Sequence, residues 1–314
     1  MAALIATSAR VVEKWKDKFR TSAPERTFYI HGEDDYDPAS IRYAIVWNPP
    51  SASLSALPNL EAIFNLGAGV DGILKDSSVP ADVPIVRLVE NDMTERMAEW
   101  VTLQVLLHHR HTLQYLEQQR RREWADITQP IANEVRVGMM GYGVLAQHAG
   151  KILRMLGFKV HAWSRSEKPA DVPLFAGPAA LPDFLAETDI LVALIPLTEE
   201  TREIINARLI DGMAKDGALG GPIIVNGGRG GLQNEADLLA ALKSGALKGA
   251  SLDVFQTEPL PADDPIWAAP NLVITPHVAA ISELNATAAY VLRQMEAYER
   301  GEPFQNVVVR DRGY

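Results

Sequence analysis

The chain has 314 residues, 47% hydrophobic and 22% charged, with no cysteine and a formal charge of −10. This length accommodates two domains, and the lack of cysteine excludes disulfides, thiol catalysis and cysteine-ligated metals, in keeping with a cytoplasmic protein. The acidic balance argues against nucleic acid or an anionic membrane as partner, and no apolar run is long enough to span a bilayer. An anionic ligand would need a site built locally, from arginine and backbone amides.

The apolar start, Met1-Ala-Ala-Leu-Ile-Ala, lacks the basic n-region of a signal peptide and reads as a first strand. Residues 43–47 (Tyr-Ala-Ile-Val-Trp) predict a buried strand ended by the turn Asn48-Pro49-Pro50. Residues 61–66 predict another, running into Gly67-Ala-Gly-Val-Asp-Gly72, where a helix begins. From Asp92 to about Trp124 neither Gly nor Pro interrupts the chain, and Met97, Trp100, Val101, Leu106, Leu107, Leu113 and Leu116 keep helical spacing. One long helix is expected there. Its cluster His108-His-Arg-His111 has no nearby acidic partner for a metal and reads as a solvated or interface face. Arg120-Arg-Arg122 reads as a solvated basic run.

From Asn133 onward, strands are predicted at 135–140, 157–163, 189–195, 222–226, 249–253 and 272–275, with helical segments between most of them. Alternation of this kind makes a doubly wound parallel sheet. A helix from Leu284 to about Arg300 returns to the first domain, because the sheet is complete without it. The expected division is residues 1–97 with 284–314, and 98–283.

Gly141-x-Gly143-x-x-Ala146 falls between a strand and a helix. Gly141 permits the tight turn, Gly143 admits a pyrophosphate to the backbone, and Ala146 fills the small third position. The amides of Val144 and Leu145 then open a helix, where phosphate is favoured. The alternative is a plain strand-helix turn. About 20 residues on, where an NAD site carries a carboxylate for the ribose, the chain reads Trp163-Ser-Arg-Ser-Glu-Lys168. Ser164, Arg165 and Ser166 suit the 2′-phosphate of NADP. A surface arginine after a strand is the plainer reading of Arg165.

Three residues in the last third of the chain can handle a keto acid. Arg229 lies in Asn226-Gly-Gly-Arg-Gly, Glu258 in Asp253-Val-Phe-Gln-Thr-Glu-Pro, and His277 in Thr275-Pro-His-Val. An arginine offers a planar fork for a carboxylate and polarises a neighbouring carbonyl. A histidine delivers a proton near neutral pH, and a carboxylate bonded to it fixes its tautomer and favours its charge.

With Gly67-Ala-Gly-Val-Asp, Gly141-Tyr-Gly-Val-Leu, Asn226-Gly-Gly-Arg-Gly…Glu235, Leu252-Asp-Val-Phe…Glu258-Pro and Thr275-Pro-His-Val-Ala-Ala, the sequence resembles the D-isomer-specific 2-hydroxyacid dehydrogenase family along essentially its whole length. Val46-Trp-Asn-Pro-Pro, Ala162-Trp-Ser-Arg-Ser and the ending Arg310-Asp-Arg-Gly-Tyr314 look like its bacterial glyoxylate/hydroxypyruvate reductase branch. The resemblance implies a Rossmann domain, a flavodoxin-like α/β substrate domain built from both chain ends, a closing cleft and a homodimer. It implies NADPH-dependent reduction of glyoxylate or hydroxypyruvate. Arg229 would bind the substrate, His277 would donate the proton and Glu258 would partner it. Ala68 and Gly69 would offer amides to the substrate carboxylate, and Trp47 would border the substrate. Asp253 would hold the nicotinamide carboxamide, and Pro196 and Leu197 would line the adenosine pocket. A dehydrogenase of a bulkier D-2-hydroxy acid and a dinucleotide-sensing, corepressor-like binding protein are the alternatives. Asp216-Gly-Ala-Leu-Gly-Gly-Pro222 looks longer than the family's approach to the arginine strand and reads as a surface loop. Were it instead to shift that strand, Arg229 would be misplaced.

Overall fold

A strand with neighbours on both faces of its sheet needs an unbroken apolar run, and the first strand meets that requirement: β1 (Ala2–Thr7) is buried at all six positions. The computed structural model describes residues 2–7, 11–67, 69–281 and 283–310. They form two compact units, Met1–Met93 with Ser282–Tyr314, and Thr94–Ile281.

In the first unit, β1 is followed by α1 (Val12–Ser22), β2 (Thr27–Ile30), β3 (Ile41–Trp47), β4 (Ala62–Asn65), α2 (Asp71–Lys75) and β5 (Ile85–Val86). The sheet is parallel, in the order β2-β1-β3-β4-β5, the flavodoxin-like order. Helix α1 turns Val12, Trp15 and Phe19 inward at intervals of three and four. Pairing of Val46 with Asn65 sets the carboxyl ends of β3 and β4 level, so Trp47 and the loop beginning at Leu66 leave the sheet side by side.

The second unit begins within α3 (Asn91–His109) and continues through α4 (Thr112–Arg121), β6 (Arg136–Met140), α5 (Val144–Met155), β7 (Lys159–Ser164), β8 (Leu174–Ala176) and α6 (Leu181–Ala186). It is completed by β9 (Ile190–Ala193), α7 (Ala207–Gly212), β10 (Ile223–Asn226), α8 (Glu235–Ser244), β11 (Gly249–Leu252) and β12 (Leu272–Ile274). Its strands, all parallel, run β12-β11-β10-β9-β6-β7-β8. This is the Rossmann order with one added strand. It reverses at β6, which pairs with both β7 and β9, and ligands of such sheets sit past the strand ends at that point. The last helix, α9 (Leu284–Glu299), belongs to the first unit and packs on α1.

Three expectations are corrected. The long helix is two helices: the chain turns at Arg110 and His111, and His111 takes a left-handed φ of 54°. The histidine cluster is not solvated, since His108, His109 and His111 are all buried. His108 Nε2 meets Ser251 Oγ at 2.9 Å, and the His109 ring packs edge-on against Phe158. Burial pushes the His108 imidazole down to about 4, so it is neutral at neutral pH. The segment 216–222 is more than a surface loop. Leu219 is buried in the core, and Asp216 bonds Arg136, which also grips Asp189. Strand β10 then pairs in unbroken register, Ile223 with Ile190 and Asn226 with Ala193.

Candidate active site

Three loops leave the carboxyl ends of β10, β11 and β12, and buried polar side chains tie them together. Asn226 ends β10, fully buried. Its Oδ1 accepts the Gly228 amide at 3.0 Å, while Nδ2 donates to Arg229 O at 3.1 Å and to Gln233 Oε1 at 2.8 Å. Gln233, also fully buried, donates to Val254 O at 2.9 Å and so joins the arginine loop to the loop after β11. The two backbones touch at Gly230, where an added Cβ would lie 1.9 Å from the Phe255 carbonyl carbon. Only glycine fits there. Arg229 is half-buried, with an extended φ of −142°, and its Nη1 donates to Gly228 O at 2.8 Å.

Glu258 accepts the Phe255 amide on Oε1 at 3.0 Å and meets His277 Nδ1 with Oε2 at 2.7 Å. Burial works to raise the Glu258 carboxyl, but the His277 bond, the Phe255 amide and the charges of His277 and Arg229 hold it below its ordinary value. The Arg229 and His277 charges therefore both bear on one carboxylate. With Nδ1 turned to Glu258, Nε2 is the ring atom left to exchange a proton. Asp253, buried in the first turn after β11, faces the histidine loop. Burial pushes its carboxyl up, against bonds from Thr275, Val278 and Ala279.

The glycine turn follows β6. Gly141 has φ +92°, and an added Cβ would lie 2.8 Å from Ile195 Cγ2. At Gly143 an added Cβ would meet no protein atom within 4 Å, so protein packing does not demand glycine there. Gly143 caps α5 without any side-chain bond to the first-turn amides, which begin at Val144 and Leu145. Tyr142, between the glycines, is buried and donates to Asp171 Oδ1 at 2.6 Å. Ser164 closes β7 and donates to Ser166 O at 2.6 Å, with Arg165 exposed beside it. The Arg165 charge reaches Glu200, whose carboxyl is held low chiefly by the Thr198 hydroxyl and its own backbone amide. Pro196 O accepts the Thr201 hydroxyl at 2.8 Å, and Leu197 packs over Gly231.

In the first unit, Trp47 ends β3 with its indole against Gly67. Buried Asn65 donates to Gly67 O and Gly69 O, both at 2.8 Å, and shapes that loop. Ala68 lies outside the described residues, as do residues 311–314 of the Arg310–Tyr314 ending. Asn65, Trp100, Tyr142, Gln233 and Thr275 are supporting residues for which the sequence reading gave no role. Trp100, Tyr142 and Thr275 lie in motifs or spacing already quoted and Asn65 in the strand predicted at 61–66, but their partners become visible only in three dimensions.

The sequence model described as "D-isomer specific 2-hydroxyacid dehydrogenase, NAD binding domain" matches residues 102–279. The chain belongs to the D-isomer specific 2-hydroxyacid dehydrogenase family. It is 40% identical over 286 residues to a glyoxylate/hydroxypyruvate reductase A of Klebsiella pneumoniae, a match covering 89% of each chain. A solved NADPH-dependent glyoxylate/hydroxypyruvate reductase of Sinorhizobium meliloti, in complex with NADP and sulfate, superposes with a TM-score of 0.93 at 41% identity. That match covers 100% of this chain and 99% of the other. A probable 2-hydroxyacid dehydrogenase of Rhizobium etli, in complex with NADP, HEPES and L(+)-tartaric acid, gives 0.94 at 42% identity with the same coverage. Among the described residues no helix is long and apolar enough to cross a membrane.

Proposed function

We propose that this protein reduces small 2-keto acids with NADPH, converting glyoxylate to glycolate and hydroxypyruvate to glycerate. The observation that carries this reading is the 2.7 Å contact of His277 Nδ1 with Glu258, whose carboxylate also feels the Arg229 charge. The relatives at about 40% identity carry the same activity in their names.

The residues present fit a phosphorylated dinucleotide. Gly143 has room on its Cα, the first-turn amides of α5 have no side-chain cap, and Ser164 with Arg165 replaces the carboxylate that would repel a 2′-phosphate. Ser166, Pro196 and Leu197 are proposed to border the nucleotide. When bound, NADPH supplies the hydride. Arg229 would hold the keto acid through its carboxylate and stabilise the oxyanion that develops on the carbonyl oxygen. His277 would give that oxygen its proton from Nε2, and Glu258 would keep the ring in the tautomer and charge state needed. Asp253 is proposed to bind the nicotinamide carboxamide, and Trp47 and Gly69 of the first unit to contact substrate.

We propose that residues 98–283 form the nucleotide-binding domain and that both chain ends form the substrate domain. A homodimer accords with the apolar side chains that α3, α4 and the segment after them expose: Leu103, Leu116, Trp124 and Ile131, with Trp124 wholly exposed. Light scattering of the purified protein would read its mass directly.

The test is a panel of keto acids mixed with NADPH, with product identification by chromatography. Glyoxylate and hydroxypyruvate should be turned over faster than branched or aromatic keto acids, giving glycolate and glycerate. A clear preference for a bulky keto acid, or no turnover of any, would overturn this reading.

A further inference from the structure

His277 sits in a backbone conformation that few L residues adopt, φ +55°, and its side chain is 45% exposed. Neither local preference nor burial fixes it. Glu258 meets its Nδ1, and one buried residue holds its loop. Asp253, 1% exposed, accepts the His277 amide on its backbone carbonyl at 2.8 Å. Its Oδ1 accepts the Thr275 hydroxyl and the Val278 amide, the latter at 2.9 Å, and its Oδ2 accepts the Ala279 amide at 2.9 Å. Every residue from 275 to 279 is thereby bonded to Asp253 except Pro276, which has no N–H.

A second tier holds the first. Trp100 Nε1, on α3, donates to Thr275 Oγ at 3.2 Å, so the hydroxyl's own proton is committed to Asp253. The Trp100 ring also walls the arginine loop, since a Cβ added at Gly227 would lie 3.1 Å from its Cζ3.

We propose that Asp253, Thr275 and Trp100 form a positioning relay that sets the direction of the His277 ring. The proposal rests on the reading of His277 as proton donor. An ionised carboxylate offers about four acceptor sites. Three of those on Asp253 are taken by the loop, which leaves one on Oδ2 for the nicotinamide carboxamide. Loop and cofactor would then share one buried carboxylate, and the proton donor would be aimed by the group that places the hydride.

Thr275→Val removes the hydroxyl at nearly constant shape, and Thr275→Ser keeps it while losing a methyl. In the full-length enzyme, kcat, KM for glyoxylate and NADPH affinity are measured beside hydrogen exchange at the Val278 and Ala279 amides. Thr275→Val should lower kcat on the order of 10- to 100-fold, as expected for a misaimed catalytic group. Its NADPH Kd should stay within about twofold, while the two amides exchange faster. Thr275→Ser should restore all of these, and Trp100→Phe should lower kcat in the same direction by less. Wild-type kcat in Thr275→Val, a Thr275→Ser variant as impaired as Thr275→Val, or a kcat loss matched by lost NADPH affinity would overturn the proposal. Should Thr275→Val fail to fold, an unchanged kcat in Trp100→Phe would overturn it as well. The exchange measurements need no turnover. A wild type that reduced no keto acid would remove the functional reading, and the exchange data would still show whether the relay holds the loop.

Discussion

Two regions of the Rossmann unit are built to opposite standards. The loops carrying Arg229, Glu258 and His277 are tied by fully buried Asn226 and Gln233 and by nearly buried Asp253, with backbone against backbone at Gly230. Past buried Ser164, which ends β7, the segment carrying Arg165 and Ser166 is largely exposed. Its hydrogen bonds include the Ser164 hydroxyl on Ser166 O and, at the far end, Asp171 held by Tyr142 and Arg154. Buried polar groups are costly when left unpaired, so the first region tolerates little change. An exposed arginine can be replaced with little loss of stability. On the proposed assignment, the residues of the reaction are held from beneath by a buried hydrogen-bond network, and Arg165 and Ser166, proposed to read the cofactor's 2′ position, lie on the surface, where they can change independently.

Breaking the first region should give the largest effects. His277→Ala removes the proposed proton donor and should lower kcat by about 10²- to 10⁴-fold, the usual worth of general acid catalysis. NADPH affinity should persist, because the glycine turn is untouched. Near wild-type turnover would mean another group donates the proton. Arg229→Lys keeps the charge and loses the planar fork. It should raise KM and lower kcat together, with kcat/KM down about 10- to 100-fold for a charge-assisted bond of about 1.5–3 kcal/mol. An unchanged kcat/KM would place the anion site elsewhere.

Glu258→Gln sharpens the comparison through pH rather than rate. His277 and Arg229 help hold the Glu258 carboxyl below its ordinary value, so the carboxylate's part in the attraction is present above the usual carboxylate range and is lost as pH falls through the lowered value. By reciprocity, the ionised carboxylate favours the protonated imidazole. Removing its charge should therefore move the alkaline limb of the reduction rate to lower pH, with little change at the acid end of the profile. A limb that stays in place would make Glu258 a structural residue.

Much of this was legible in the chain. The apolar runs of β3, β4, β6, β9 and β10 announced both sheets, because a strand covered on both faces has no polar side to interrupt it. The turn at His111 was not legible. The spacing of Met97 through Leu116 continues across it, while the tertiary contacts of His108 with Gly249 and of His109 with Phe158, just before the turn, leave no mark in that spacing. The short edge strands β5 and β8 span two and three residues, too few to show a period. At the candidate site the sequence named the residues with the chemistry, and the family resemblance implied the pairing of Glu258 with His277. It was silent on Thr275, Gln233 and the engaged carboxylate oxygens of Asp253, because a hydrogen-bond partner distant in sequence leaves no local pattern.

The separation of chemistry from cofactor choice is tested most directly by kcat/KM for NADPH and for NADH, at saturating keto acid, in wild type and in Ser164→Asp/Arg165→Ala. Wild type should prefer NADPH by about 10- to 100-fold, the worth of a charge-assisted bond to the 2′-phosphate, and the double variant should prefer NADH with the pH profile of wild type. A wild type that prefers NADH, a double variant that still prefers NADPH, or a swap that also displaces the pH profile would contradict the account.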